Sequence, residues 1–147
     1  MENGGIKMNK LFLVALCFFT LPSAFATQPN HHLTPGVLCT PKDADFTGYR
    51  YAEHIAYCGR NITQQEKLDV AKAYGGIPES EFYKYEFDHL IPLAIGGSND
   101  IHNIWPQPID EAKLKDHVEQ QTYNGLNSGT MTQAQALKLI WDWVRTH

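Results

Sequence analysis

Asp88 and His89 stand side by side in "YKYEFDHLIPLAIGG", an apolar, strand-like run that ends on a Gly-Gly pair. A carboxylate next to an imidazole suits metal-assisted hydrolysis. The carboxylate offers a hard oxygen ligand, and the imidazole, which titrates near neutrality, offers a base for water. Side chains alternate along a strand, so the two leave it on opposite faces. One can meet a following helix while the other lines a cleft or bends in near the strand end. The plain alternative is a buried, hydrogen-bonded pair that fixes a hairpin.

The elements that must position this pair are legible around it. Branched and aromatic residues predict a strand over Tyr85 to Leu93, limited by Pro92, then a turn over Gly96 to Asp100 and a short return around Asn103 to Trp105 that Pro106 and Pro108 end. From Ile109 onward "IDEAKLKDHVEQQTYNG" reads as a helix with acidic residues in its first turn and Gly125 at its end. At about 100° per residue, Leu114 and Val118 share one face, while Ala112, Asp116 and Glu119 lie roughly on the other. Asp116 is therefore better placed than His117 to present an oxygen toward Asp88. Lys113 and Lys115 are candidates for phosphate contact, or else occupants of a solvated helix face.

Further elements frame this unit. "NITQQEKLDVAKAYGG" carries a helix with Thr63 and Glu66 as a capping box and Gly75 and Gly76 as its stop. In "TMTQAQALKLIWDWVRTH", Leu137, Ile140, Trp141 and Val144 recur at helical spacing, with Thr132 and Gln135 as a second capping box. Trp141 on this stripe reads as core, as does Trp105 under the hairpin. Residues 27 to 38 have Pro, Gly and polar residues without a period and read as an extended N-terminal arm, in which the adjacent His31 and His32 are solvated.

A sequence of 147 residues, 43% hydrophobic and 19% charged, is enough for one domain with a real core. Lys7 and Lys10 precede the apolar run "LFLVALCFFTLPSAFA", which closes on a small-x-small signal at Ala24 to Ala26, so residues 1 to 26 read as a signal peptide, with Met1 or Met8 as the start. A membrane anchor would need roughly 20 apolar residues, and this run is broken by Thr20, Pro22 and Ser23. Cleavage leaves 10 basic against 15 acidic side chains, a formal charge of −5, which argues against a broad phosphate-tracking surface. Cys17 leaves with the leader. Cys39 and Cys58 then remain alone in an oxidising compartment, periplasmic or extracellular, where a disulfide is the simple reading. A loop of that size is stabilised by roughly 3 kcal/mol.

"DHLIPLAIGGSNDIHNIWPQP" followed by "AKLKDHVE" resembles the HNH endonuclease superfamily, in particular its secreted single-domain members. The resemblance is specific over residues 85 to 108 and looser elsewhere. It implies an α+β fold whose core is a ββα-metal unit, a β-hairpin plus helix, spanning residues 39 to 147 with flanking helices. It implies a hydrolase of DNA or RNA phosphodiester bonds that leaves a 5′ phosphate and a 3′ hydroxyl. His89 becomes the general base, Asp88 the first metal ligand, and Asn103 the residue that ties the second strand to the loop and orients His89. The chain departs from the pattern at Ala112, where the family commonly places a helix His. Asp116, with His117 as the alternative, is then the expected second ligand, and such an oxygen-dominated site favours Mg²⁺ or Mn²⁺ over Zn²⁺. The expected protein is a monomer with nucleic acid as its partner and no membrane attachment once mature. A nuclease able to reach its producer's own nucleic acid would also need an immunity or inhibitor protein. The same departure at Ala112 leaves a second reading open, an exported binding module that kept the fold and lost the chemistry.

Overall fold

The structure, a computed structural model, describes residues 28–147. The signal-peptide expectation for residues 1 to 26 lies outside the described residues. The fold is α+β. Among the described residues it holds two small antiparallel hairpins, three α-helices, short 3₁₀ turns and one disulfide between Cys39 and Cys58, with Cα atoms 5.8 Å apart.

The first hairpin pairs β1 (Phe46–Arg50) with β2 (Ile55–Cys58). Helix α1 (Gln64–Ala73) begins at the expected capping box, in which Thr63 accepts from the Glu66 amide and Glu66 accepts from the Thr63 amide. It stops where Gly75 and Gly76 take positive φ, a conformation that costs glycine little. The second hairpin pairs β3 (Tyr85–His89) with β4 (Ile104–Pro108). Helix α2 (Ile109–Asn127) follows β4 without a loop, and α3 (Gln133–Thr146) starts at the second expected capping box, Thr132 with Gln135.

The strand boundaries differ from the sequence reading. β3 ends at His89 rather than Leu93, because Pro92 opens a 3₁₀ turn over Leu93–Ile95. The return strand runs through both prolines, with Pro106 opposite Phe87 and Pro108 opposite Tyr85. A sheet of only two strands consists of edges, which is where proline is tolerated.

Register sorts the β3–β4 hairpin into two faces. Glu86, Asp88, Trp105 and Gln107 share one, and Phe87, His89 and Ile104 share the other. Trp105, fully buried, joins the larger core with Leu90, Ile95, Leu126, Ile140 and Val144. Phe87 and Ile104 join Val70, Ala71 and Ile77 in a smaller cluster beneath α1. The hairpin is thus clamped between α1 and the α2–α3 pair.

One helix face differs from expectation. On α2 the buried positions are Ala112, Lys115, Thr122, Gly125 and Leu126, whereas Leu114 is half exposed and Val118 only partly buried. Small residues at 112 and 125 permit close approach to the rest of the fold, and that selects the face. On α3 the expected stripe faces the core, with Ile140 and Val144 buried and Leu137 and Trp141 partly buried against it, and Trp143 is buried as well.

Residues 28 to 38 are not a free extended arm: they make a turn over 31–33, closed by the Leu33 and Thr34 amides on the Asn30 carbonyl, and are tied to the fold. Thr34 is fully buried and donates to the Ile104 carbonyl, Gly36 donates to the His102 carbonyl, and Leu38 bridges to Gly97. Among the described residues, no helix is long and apolar enough to cross a membrane.

Gly97 is the tightest point of the fold. A Cβ there would lie 1.8 Å from the Ile91 carbonyl oxygen, a backbone atom that cannot swing aside. Gly97→Ala should therefore cost about 3 kcal/mol or more, read as a lowered midpoint in chemical denaturation. Ala at Gly75, where nothing lies within contact distance, is the control: it carries only the strain of a positive φ.

Candidate functional site

β3 sends Asp88 toward α2 and His89 the other way, so the pair is not one cluster of side chains but two, joined by a shared strand. Asp88 is met by Lys115, whose side chain is 1% exposed. The Lys115 ammonium donates to Asp88 Oδ2 at 2.5 Å, to the His89 carbonyl at 2.7 Å and to Glu119 Oε1 at 2.5 Å, which uses its three N–H groups on three oxygens. Burial alone would lower the Lys115 pKa, but the Asp88 and Glu119 carboxylates outweigh it and hold it raised, so the ammonium stays charged. Burial raises the pKa of Glu119, which Lys115 opposes and Asp88 reinforces. Two carboxylates share one cation, and Asp88 Oδ1 makes no hydrogen bond among the described residues while its side chain keeps some exposure.

His89 is 1% exposed. Its Nε2 lies 2.9 Å from Asn99 Oδ1. Asn99 in turn donates through Nδ2 to the Gly59 carbonyl at 2.7 Å and accepts at Oδ1 from the Asn61 amide at 3.2 Å. A carbonyl oxygen can only receive, so Oδ1 is the atom turned to His89, and Nε2 is the nitrogen that carries the hydrogen. His89 Nδ1 is then the unprotonated nitrogen, buried and without a hydrogen-bond partner among the described residues. Burial holds the imidazole pKa below its usual value; the Asn99 contact opposes this and Arg60 adds to it. The result is a neutral imidazole of fixed tautomer with a bare acceptor nitrogen.

Asn103 is fully buried and does what the sequence suggested for the loop. Its Oδ1 accepts from the Ile91 amide at 2.9 Å, and its Nδ2 donates to the Ile91 and Ser98 carbonyls at 3.0 and 2.8 Å. Its backbone carbonyl receives the Leu90 amide at 2.7 Å. It touches the backbone that follows His89 and not the imidazole. Ring orientation belongs to Asn99.

The remaining expected residues are spread along α2. Asp116 and His117 are exposed, and Asp116 acts electrostatically on Glu86 together with Asp88. Burial raises the Glu86 pKa, these two carboxylates add to it, and Arg60 and Lys115 counter it. Glu86, Asp88, Asp116 and Arg60 therefore border one region. A shallow cleft of about 250 Å³ beside it is lined by Ala94, Asp116, Glu119, Gln120 and Tyr123. Lys113 is exposed and pairs loosely with Asp110 at 3.3 Å. Lys115, expected on a solvated face in reach of phosphate, is instead enclosed, because its face of α2 is the one turned to the hairpin.

Among the described residues one group has three potential metal ligands within reach of each other, Cys39, Asp43 and Cys58. Its two sulfurs are spent in the disulfide and cannot act as thiolates. Asp88, Asp116 and His117 do not form such a group, so a cation bound there would be completed by water or by phosphate.

Compared with protein-family models, curated proteins and solved structures, the chain matches none. Its chemistry has to be read from its own residues.

Removing the ammonium from the Asp88–Lys115–Glu119 cradle leaves buried carboxylates unpaired. Lys115→Met should destabilise the fold by roughly 3 kcal/mol in chemical denaturation, and an added Asp88→Asn should recover part of the loss.

His89 also makes stability depend on pH. Its folded pKa lies below that of the unfolded chain, so its contribution is complete above about pH 6.5 and is lost as pH falls toward the folded value. Between about pH 7.5 and about pH 5 the wild type should lose more stability than His89→Asn, the comparison cancelling the titration of the carboxylates.

Proposed function

We propose that the protein is an exported nuclease that hydrolyses phosphodiester bonds of DNA or RNA with His89 as general base, on a ββα unit made by β3, β4 and α2. The observation that carries this reading is the state of His89: neutral, locked by Asn99 in the tautomer with hydrogen on Nε2, and left with Nδ1 free to accept a proton. Trp105 Nε1 and the Gln107 amide in the same hairpin also have no hydrogen-bond partner among the described residues, but of these atoms His89 Nδ1 is the one that can act as a base.

In the reaction, His89 Nδ1 takes a proton from water as the water oxygen bonds to phosphorus, and the bond from phosphorus to the 3′ oxygen breaks. The leaving oxygen takes a proton from solvent, giving a 5′ phosphate and a 3′ hydroxyl. Substrate must displace side chains enough to bring that water to a nitrogen now sealed off. Arg60, exposed and close enough to act on both His89 and Glu86, is the best-placed phosphate contact, ahead of Lys113. The Lys115 cradle holds the His89 carbonyl and the Asp88 carboxylate in place while this occurs.

By their chemistry the carboxylate oxygens of Asp88 and Asp116, both of which act on Glu86, would suit a hard divalent cation. Mg²⁺ or Mn²⁺ held there would neutralise charge developing on the phosphate. The disulfide supports an oxidising, exported setting.

One observation favours the second reading, a binding module without turnover. Lys115 already supplies Asp88 and Glu119 with a positive charge, and Ala112 offers no ligand.

The test is cleavage of plasmid DNA and of RNA by the oxidised protein with Mg²⁺, Mn²⁺, Zn²⁺ or EDTA, beside His89→Asn. The expected result is metal-dependent cleavage, reduced roughly 10²-fold or more in the folded variant. Folded protein that cleaves neither substrate with any metal establishes the binding module instead.

A further inference from the structure

The loop that carries Asn99 is gripped from two sides, and the Cys39–Cys58 bridge joins the grips. On one side Cys39 donates to the Gly96 carbonyl at 2.8 Å, Ser98 donates to the Val37 carbonyl at 3.0 Å, and Leu38 bridges to Gly97. On the other side the segment just after Cys58 holds Asn99 itself, through the Gly59 carbonyl at 2.7 Å and the Asn61 amide at 3.2 Å. Those two contacts decide which atom of the Asn99 amide faces His89. If the Gly59–Asn61 segment moves away, the amide can rotate, and its NH₂ group can face the imidazole as readily as its oxygen.

We propose that Asn99 is the positioning residue for His89 and that the Cys39–Cys58 bridge keeps it in register, so that the site is assembled only in the oxidised chain. The inference rests on His89 acting as the base. A disulfide 19 residues across is ordinarily read as a brace for the whole domain. Here its two half-cystines sit at the ends of the two segments that touch the Asn99 loop, one of them a single residue from Gly59, whose carbonyl receives the Asn99 amide. A dithiol reductant breaks the Sγ–Sγ bond, leaves a thiol hydrogen on each of Cys39 and Cys58, and is itself oxidised to a disulfide. Segment 59–61 is then held beside the loop by its hydrogen bonds to Asn99 and by the packing of β2, whose Ile55 shares the core with Ile95, while the Gly59 amide still donates to the Asp45 carbonyl at 2.9 Å. A chain still in a reducing compartment would carry the fold without the aligned imidazole.

The experiment reads the imidazole directly, by long-range nitrogen–proton NMR correlation of His89 at neutral pH, with kcat and KM for nucleic-acid cleavage measured in parallel. The oxidised wild type should show hydrogen on Nε2 alone. Asn99→Ala should show a mixture of tautomers and, with its fold intact by circular dichroism, a kcat lowered about 10- to 100-fold at similar KM. Asn99→Asp keeps an oxygen facing Nε2 and should restore the single tautomer. The Cys39→Ala/Cys58→Ala double variant and the dithiol-reduced wild type should resemble Asn99→Ala.

An unchanged tautomer in Asn99→Ala overturns the positioning role. A bridge-free protein that stays folded with the tautomer intact, or one that loses its fold altogether, overturns the redox half. Tautomer changes as stated in a wild type that cleaves nothing would uphold the positioning while removing the nuclease reading, so the two failures are distinct.

Discussion

One buried ammonium holds the site to the scaffold. Lys115 reaches from α2 into the hairpin and binds a side chain from β3, a main-chain carbonyl from β3 and a side chain from its own next turn. An unpaired charge in that position would be strongly unfavourable, and a charge with three oxygen partners is tolerated only at one geometry. The interaction therefore adds little net stability compared with an apolar side chain of the same shape, but it fixes the rotation of α2 against β3. The close approach at Ala112 and the burial of Leu126 follow from that rotation.

The hairpin also sends its two polar centres to opposite faces, although the Asp88 and Lys115 charges are still felt at His89. The Asp88 side is ionic and borders solvent, while the His89 side is uncharged and sealed, with its hydrogen bonds running to Asn99 and then to backbone. A single strand separates them, and the hydrogen bond from Lys115 to the His89 carbonyl links them directly. This permits opposite electrostatic environments on adjacent residues: one keeps a cation charged and the other keeps an imidazole neutral.

Much of this was legible in the sequence, and the rest was hidden for identifiable reasons. Both capping boxes, the Gly75–Gly76 stop and the Cys39–Cys58 pairing depend on residues close in sequence or on simple counting. The alternation that parts Asp88 from His89 is local too. The α2 face was misjudged because Leu114 and Val118 look like a stripe, whereas the helix is seated by small residues and a lysine that hydropathy scores as surface. Glu119, four residues after Lys115, was a visible hint of an ion pair but not of its burial. Asn99 was read only as part of a turn. Its partners are His89, ten residues away, and Gly59, forty residues away, and nothing in "GGSND" announces either. The role of orienting the imidazole, which the resemblance implies for Asn103, has no counterpart in its contacts, which close the loop on backbone at Ile91 and Ser98.

The prolines of β4 have a consequence beyond their tolerance at an edge. Among the described residues each of the two sheets has only two strands; in the folded chain residues 104–107 are buried and Thr34 caps the Ile104 carbonyl, but before that cover closes each sheet offers unpaired main-chain donors and acceptors to other copies of the chain. Pro106 and Pro108 delete two of the donors in β4. An incoming strand therefore finds a ladder with missing rungs, and the hairpin resists self-association into extended sheets, the hazard that edge strands present when a chain is concentrated or only partly folded.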